Sequence, residues 1–154
     1  MTTTLVNHPQ DLMAMTGTKL GPTPSLQVSQ ERIDQFAEAT GDHQWIHVDP
    51  VRAARGPFGK TIAHGYLTLS LANCFLPELI RVDNVSMGVN YGTEKIRFPA
   101  PVPVDSLIAA EGEIIAVEEN KGGYKATIRV TITAEGSDRP ACIVDTISIF
   151  YPGD

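Results

Sequence analysis

The feature that most constrains the fold is the stretch 66–80, which would be hydrophobic on nearly every side if it formed a helix. A helix without a polar face has to be enclosed by the rest of the chain. The stretch is too short to span a bilayer and contains Asn73 and Glu78, which argues against a membrane segment. The sequence therefore predicts one helix buried inside the protein and no membrane partner.

The half of the chain that follows this stretch is typical of antiparallel strands. Apolar residues alternate with polar or small ones over 85–91, and the phase changes at Gly92, as a bulge would require. The prolines within 99–103 forbid regular ladder pairing and predict an extended crossing loop. The alternation is clearest over 124–135, whereas 141–151 is apolar on both faces, as in a buried or interfacial strand.

The half of the chain before the stretch predicts helices. Ser29 is a good N-cap for a helix that ends at Gly41, where glycine adopts the left-handed capping conformation at little cost. Asp49 and Pro50 have the residue types that start a further helix. Residues 42–50 are therefore predicted to form a polar loop between two helices.

Helices followed by a run of long antiparallel strands indicate an α+β fold with one sheet and one buried helix. Because the chain has 154 residues, we expect a single domain that spans residues 1–154. A sheet wrapped round a central helix fits this pattern, but the physics of the sequence alone does not single it out.

Composition and charge exclude several classes of protein. The chain is 42% hydrophobic and 19% charged, as in an ordinary folded protein. Its net charge of −6, without a basic stripe, gives no reason to expect nucleic acid as a partner. The first ten residues lack a basic segment followed by an apolar run, so we expect no signal peptide and a cytoplasmic protein. Cys74 and Cys142 lie in apolar stretches and are predicted to be buried free thiols.

The densest group of reactive side chains lies in the predicted loop after Gly41, and it allows three interpretations. Asp42 and His47 could together hold and activate one water molecule. His43, His47 and Asp49 could bind zinc, although no cysteine-rich or two-helix ligand pattern supports a metal. Alternatively, the aspartates cap helices and the histidines are solvated. The spacing alone leaves all three open.

A second group, residues 63–66, stands just before the predicted buried helix. The N–H groups of a first helical turn lack intrahelical acceptors and favour negative charge. Gly65 leaves room for a ligand atom to approach its own N–H group.

These two groups carry a resemblance to a known family. Residues 39–50 resemble the signature of the MaoC-like, R-specific enoyl-CoA hydratases, in which a Gly-Asp pair precedes a His and an Asp-Pro pair. Residues 62–66 resemble the His-Gly turn at the start of the family's central helix, at the expected distance from the first motif. Residues 97–102 resemble the segment that leads from strand to loop before the last strands. The resemblance covers roughly residues 25–151.

The chain departs from the family pattern at Gln44 and Trp45, where many members carry Asn-Pro. This variant resembles a subgroup that includes the nodulation protein N-like proteins, so the substrate pocket can differ from that of other members. Asn73 aligns with a polar residue that some members place on the central helix, and its role is left open. His43 is expected to be solvated or at the rim of the pocket.

The resemblance implies a hotdog fold, in which an antiparallel sheet wraps round a long central helix, and a homodimer. It implies hydration of trans-2-enoyl-CoA to R-3-hydroxyacyl-CoA, with no cofactor and no metal, since CoA is part of the substrate. Asp42 and His47 would hold the water, His47 would take its proton, and Asp42 would deliver a proton to C2. The N–H group of Gly65 would bond to the thioester oxygen as enolate charge builds.

Four further residues are weaker candidates for substrate binding. Trp45 and Tyr66 would line the acyl or pantetheine channel, or else belong to the core. His64 would contact the substrate or, as a structural residue, hold the turn that presents Gly65. Arg97 would meet a CoA phosphate or lie on a solvated strand face.

Two other functions are compatible with the same residues. A hotdog acyl-CoA thioesterase would direct water to the thioester carbon and release free CoA. A protein that binds acyl-CoA or an acyl carrier without catalysis would need no reactive pair, although Asp42, His47 and Gly65 occur here together.

Overall fold

The computed structural model describes residues 2–153 and shows a long antiparallel sheet packed round one helix. The elements, in chain order, are β1 (Thr4–Val6), a 3-10 helix (Pro9–Ala14), β2 (Lys19–Leu20), β3 (Leu26–Gln27), α1 (Gln30–Thr40), α2 (Trp45–Val48), α3 (Pro50–Ala53), α4 (Gly65–Leu79), β4 (Ile80–Val82), β5 (Val85–Arg97), β6 (Leu107–Asn120), β7 (Gly123–Ala134) and β8 (Cys142–Pro152).

The main sheet has the strand order β2-β6-β7-β8-β5, and β3 also pairs with β6. Strand β1 forms a separate parallel pair with β4. Strand β5 lies at the edge, and its pairing with β8 shifts register between Asn90 and Gly92, which confirms the predicted change of phase. The predicted alternation in β7 is also confirmed, because every second side chain from Ala126 to Ala134 is buried.

Helix α4 confirms the predicted central helix, and the arrangement is the α+β hotdog fold that the resemblance implied. Phe75 and Leu79 are almost completely buried against the inward faces of the sheet strands, where Ile114, Ile128 and Val130 are buried as well. Burying one such side chain stabilises the fold by roughly 1.5–3 kcal/mol. Among residues 2–153, no helix is long and apolar enough to cross a membrane.

The prediction that α4 is buried on every side is wrong for one face. Tyr66 is 69% exposed, and Asn73 and Cys74 are exposed as well, because the neighbouring edge of the sheet leaves this face uncovered in a single chain. The predicted burial of Cys74 is therefore wrong. Cys142 is buried as predicted, and its burial raises the pKa of the thiol to about 11.

The elements that carry the reactive residues follow the predicted signals closely. The Ser29 side chain accepts from the N–H of Arg32, and Gly41 ends α1 with a φ of 84°. The predicted loop after Gly41 is corrected in one respect, because it contains α2, a single helical turn that carries His47. Asp49 then caps α3 by accepting from the N–H of Arg52 at 3.0 Å.

The proline-rich crossing loop holds the segment that leads into α4. The N–H of Ala63 donates to the carbonyl of Val102 at 2.8 Å, and the N–H of Val104 donates to that of Thr61 at 2.9 Å. Because prolines cannot donate a main-chain hydrogen bond, these few bonds fix where the loop meets the start of α4.

Candidate active site

A cleft of about 420 Å³ opens between α1, α2 and the start of α4, and it brings together five of the predicted residues, including the three to which the resemblance assigns the chemistry. Asp42, His47 and Gly65 all line it. The full lining is Phe36, Thr40, Asp42, His47, His64, Gly65, Tyr66 and Phe98. Phe36, Thr40 and Phe98 were not among the predicted residues, because they lie outside the two groups of reactive side chains that the sequence singled out.

His47 is held in one tautomer by a main-chain carbonyl. Its side chain is buried, with 7% exposed, and its Nδ1 lies 2.8 Å from the carbonyl oxygen of Ile62. A carbonyl oxygen can only accept, so Nδ1 carries the proton and donates. In the neutral ring, Nε2 is then left with a lone pair that can accept a proton.

The surroundings of His47 favour that neutral ring. Burial lowers the pKa of His47 below its ordinary value of 6.5 and is the largest influence. The hydrogen bond to Ile62 raises the pKa, the nearby His64 lowers it and the carboxylate of Asp42 raises it. Because the net shift is downward, the ring is neutral at pH 7, which is the form that a general base requires.

The main chain of His47 is anchored by Gln30, a residue that the sequence did not single out. The side-chain amide of Gln30 donates to the carbonyl of His47 at 2.8 Å and to the carboxylate of Asp34 at 2.9 Å. The hydroxyl of Thr61 donates to the amide oxygen of Gln30 at 2.6 Å. These three bonds use both sides of the amide group, so its orientation is fixed.

Asp42 faces the same cleft from the end of α1. Its side chain is exposed, and its Oδ1 accepts from the N–H of Gln44 at 3.3 Å, which holds the turn after Gly41. A carboxylate oxygen of Asp42 and one ring nitrogen each from His47 and His64 all lie within 4.8 Å of one another. Two hydrogen bonds of about 2.8 Å through one water span such a separation, so Asp42 and His47 can share a water.

His64 is also drawn into this group, but its ring nitrogens do not offer a contact to a ligand. The residue is 3% exposed, and its Nε2 lies 3.0 Å from the main-chain carbonyl oxygen of Asp42. Its Nδ1 is sealed from solvent and has no hydrogen-bond partner among the described residues. The His64 ring stacks on that of His47 with 3.9 Å between ring centroids. The geometry therefore gives no support to a direct substrate contact by the His64 side chain.

The zinc site that the sequence allowed is not assembled in the part of the chain that the structure describes. His43 lies at the surface 3.5 Å from Glu38, and Asp49 is occupied in capping α3. The compact group of ligand-type residues is instead Asp42, His47 and His64. The two imidazole planes differ by only 22°, so their lone pairs run side by side and do not converge as tetrahedral zinc requires.

Gly65 is the first residue of α4, and its N–H lies at the open end of the helix. The carbonyl of the preceding His64 accepts from the N–H groups of Leu67 and Thr68, which fixes the first turn. A Cβ atom at Gly65 would lie 3.3 Å from the ring of Phe98, closer than ordinary van der Waals contact. The absence of a side chain therefore keeps this edge of the cleft open.

The two predicted aromatic contacts differ in position. Tyr66 lines the cleft, and its ring is tilted against Phe98 with 6.3 Å between centroids. Trp45 lies outside the cleft, because its ring packs against Gly56 and the guanidinium of Arg52 sits 4.4 Å above it. Trp45 is partly exposed and lies outside the hydrophobic core as well, so the structure places it in neither of the two positions that the sequence allowed.

Arg97 also lies away from the cleft. Together with Lys95 it lines a separate hollow of about 300 Å³, where Arg129 forms a two-point ion pair with Asp145. Helix α1 bears a further groove of about 810 Å³ that is open to solvent and lined by polar and acidic residues. Neither surface contains an imidazole beside a carboxylate, so the chemistry is placed in the cleft.

A second cavity adjoins the cleft. It measures about 280 Å³ and shares His47, Gly65 and Phe98 with the cleft. Its other lining residues are Phe58, Ile62, Ala63, Thr68, Pro99, Ala100, Pro101, Val102 and Ala141. Because this lining is almost wholly apolar, the cavity suits a hydrocarbon group next to the reactive pair.

The chain as a whole is similar to several known proteins. The family described as "MaoC like domain" matches residues 11–137. The chain is 48% identical over 138 residues to 3-hydroxyacyl-thioester dehydratase Z of Mycobacterium tuberculosis (strain ATCC 25618 / H37Rv), a match that covers 89% of this chain and 91% of that protein. It is 40% identical to nodulation protein N of Rhizobium leguminosarum bv. viciae, over 94% of this chain and 92% of the relative.

The fold is shared with a solved structure as well. The (R)-hydratase from A. caviae superposes with a TM-score of 0.71 at 26% identity, over 86% of this chain and 94% of that chain. The similarity to a nodulation protein N confirms the predicted likeness to that subgroup. The matched domain, the similar proteins and the shared fold together show that the chain belongs to the MaoC-like dehydratase family.

Proposed function

We propose that the protein is an R-specific enoyl-CoA hydratase, which adds water to trans-2-enoyl-CoA and gives R-3-hydroxyacyl-CoA. The observation that carries this proposal is the tautomer in which His47 is held. Its Nδ1 is committed to the carbonyl of Ile62, which leaves Nε2 free to act as a base, and a ring nitrogen of His47 lies within 4.8 Å of a carboxylate oxygen of Asp42. The names of two similar proteins, a 3-hydroxyacyl-thioester dehydratase and an (R)-hydratase, fit the two directions of this one reaction.

In the proposed mechanism, Asp42 and His47 hold the attacking water. Nε2 of His47 takes a proton as the water oxygen forms a bond to C3 of the enoyl group. The electron pair of the C2–C3 double bond moves towards the thioester carbonyl, so that enolate charge builds on its oxygen. The proton is passed within the pair, and Asp42 delivers it to C2. At the end of the cycle, Asp42 and His47 have returned to the protonation states in which they started.

The start of α4 supplies the electrostatic part of the mechanism. The β-carbon becomes electrophilic only when the thioester carbonyl is polarised, which requires a donor aimed at its oxygen. The N–H of Gly65 is such a donor, and the positive end of the α4 dipole adds to its effect. The apolar cavity beside Gly65 and Phe98 provides space for the acyl chain.

We further propose that two copies of the chain associate through the edge of the sheet. Strand β5 presents three large apolar side chains to solvent, with Met87 53%, Tyr91 62% and Ile96 38% exposed. A long unprotected edge strand is a site for pairing with another strand. Sedimentation velocity should show a dimer, and a monomer at all working concentrations would contradict this arrangement.

The test of the reactive pair uses two substitutions that retain shape and remove the acid–base function. Asp42→Asn and His47→Gln should each lower kcat by roughly a hundredfold to ten-thousandfold, the range that a general acid or base contributes. His43→Gln is the matched control, because His43 lies in the same segment and is exposed at the surface. Circular dichroism should show that all three variants are folded. Turnover close to wild type in Asp42→Asn or His47→Gln would remove that residue from the mechanism.

A further inference from the structure

His64 contacts both members of the reactive pair without offering a nitrogen to the cleft. Its Nε2–H donates to the main-chain carbonyl of Asp42 at 3.0 Å, since that oxygen can only accept. Its ring stacks on the ring of His47 at 3.9 Å. Phe36, on α1, also packs against the His64 ring, with 4.9 Å between centroids and a tilt of 56° between the planes. His64 thus lies between the segment that carries Asp42 and the helical turn that carries His47.

The remaining nitrogen of His64 indicates that this arrangement is maintained for a reason other than stability. Nδ1 is buried and has no partner among residues 2–153, and leaving such a group unpaired costs about 1–3 kcal/mol. An apolar ring of similar shape would avoid this cost, but it could not donate to the carbonyl of Asp42. Groups that are costly to bury are often retained at functional sites.

We propose that His64 is a positioning residue, which fixes Asp42 and His47 relative to each other through its bond to the Asp42 carbonyl and its stacked ring. The proposal rests on the proposed hydratase function. A misplacement of about 1 Å within a reactive pair can cost roughly a hundredfold in rate. His64 therefore contributes to kcat although neither of its nitrogens touches the substrate.

The stacked ring also gives the proposal a readout in the titration of His47. The titratable groups that influence the His47 ring are Asp42, from the end of α1, and His64, from the start of α4. The nearby His64 lowers the pKa of His47. Replacing His64 by a residue that cannot ionise should therefore raise the pKa of His47, and the acid limb of kcat/KM should move to higher pH.

Two variants separate the hydrogen bond from the stacking. His64→Phe retains an aromatic ring on His47 but has no donor, whereas the amide of His64→Gln can still donate to the Asp42 carbonyl. At a pH well above the pKa of His47, we expect His64→Phe to lower kcat by roughly ten- to a hundredfold with KM unchanged. His64→Gln should recover part of this loss, and both variants should shift the acid limb upward. His43→Phe is the matched control and should change neither quantity.

If His64→Phe retains the wild-type kcat, or if His64→Gln loses as much as His64→Phe, the bond to Asp42 does not position the pair. NMR titration of the His47 ring in His64→Gln decides the matter if His64→Phe does not fold, because an unchanged His47 pKa would overturn the coupling. This titration needs no substrate. A wild-type protein that does not hydrate crotonyl-CoA would refute the proposed function, while the titration would still test the coupling.

Discussion

The replacement Gly65→Val tests whether the start of α4 stabilises charge on the thioester oxygen. A side chain cannot remove the N–H of Gly65, but it can prevent the oxygen from approaching it. A Cβ at this position would lie 3.3 Å from the ring of Phe98, and the two methyl groups of valine would extend further into the narrow space. Loss of one such donor costs about 3–4 kcal/mol in the transition state, so kcat should fall by roughly a hundredfold to a thousandfold.

The structure indicates that the fold should survive this replacement. Gly65 does not have a positive φ, so a side chain adds no backbone strain. Valine is also a better helix former than glycine, by a few tenths of a kcal/mol. The contact that must yield is the ring of Phe98, which is 41% exposed and can turn towards solvent. Thermal unfolding should therefore change little while kcat collapses.

The contact with Phe98 provides the control. Phe98→Ala removes the ring that the new side chain would meet, and Gly65→Val is then measured in both backgrounds. If the valine acts by blocking the oxygen, its effect on kcat should be the same with and without the ring. If it acts only by displacing Phe98, the effect should vanish in Phe98→Ala. A folded Gly65→Val protein that hydrates crotonyl-CoA near the wild-type rate would refute the role of this N–H.

Three further predictions follow from the surroundings of His47. Gln30→Leu removes the hydrogen bond to the His47 carbonyl and should lower kcat about tenfold. The control is Gln35→Leu, which changes an exposed residue of the same helix and should leave kcat unchanged. Equal kcat values for the two variants in steady-state assays would contradict this prediction. Because burial lowers the pKa of His47 below its ordinary value of 6.5, kcat/KM should fall on acidification with a midpoint below pH 6.5, as the base becomes protonated; a midpoint above 6.5 in a pH profile would contradict this. Dialysis against EDTA should leave kcat unchanged, because the nitrogen lone pairs of the stacked His47 and His64 rings do not converge on a metal. Stoichiometric zinc in an elemental analysis of the purified protein would contradict this prediction.

The sequence predicted those parts of the fold that depend on local patterns. The caps of α1 at Ser29 and Gly41 are matters of residue type and backbone conformation within a few residues. The register shift near Gly92 and the alternation along β7 are likewise visible in short segments. Helix α4 was predicted from a local pattern too, namely the continuous apolar stretch over residues 66–80.

What the sequence did not predict are contacts between distant segments. Gln30 reaches His47 across 17 positions, and His64 reaches Asp42 across 22. No local pattern records such pairs, and an ordinary glutamine in a first helical turn gives no signal. The exposed Cys74 was mispredicted because an apolar neighbourhood in sequence does not tell which face of a helix the sheet leaves uncovered.

The central claim is that Asp42 and His47 direct water to C3 of an enoyl thioester, and one measurement addresses it directly. Purified protein is mixed with crotonyl-CoA, and the ultraviolet absorbance of the enoyl group is followed beside an assay for free thiol. We expect the enoyl band to be lost without release of thiol, and Asp42→Asn and His47→Gln each to slow this loss by at least about a hundredfold. Release of free CoA would show a thioesterase instead, and an unchanged enoyl band would contradict the proposed hydratase activity.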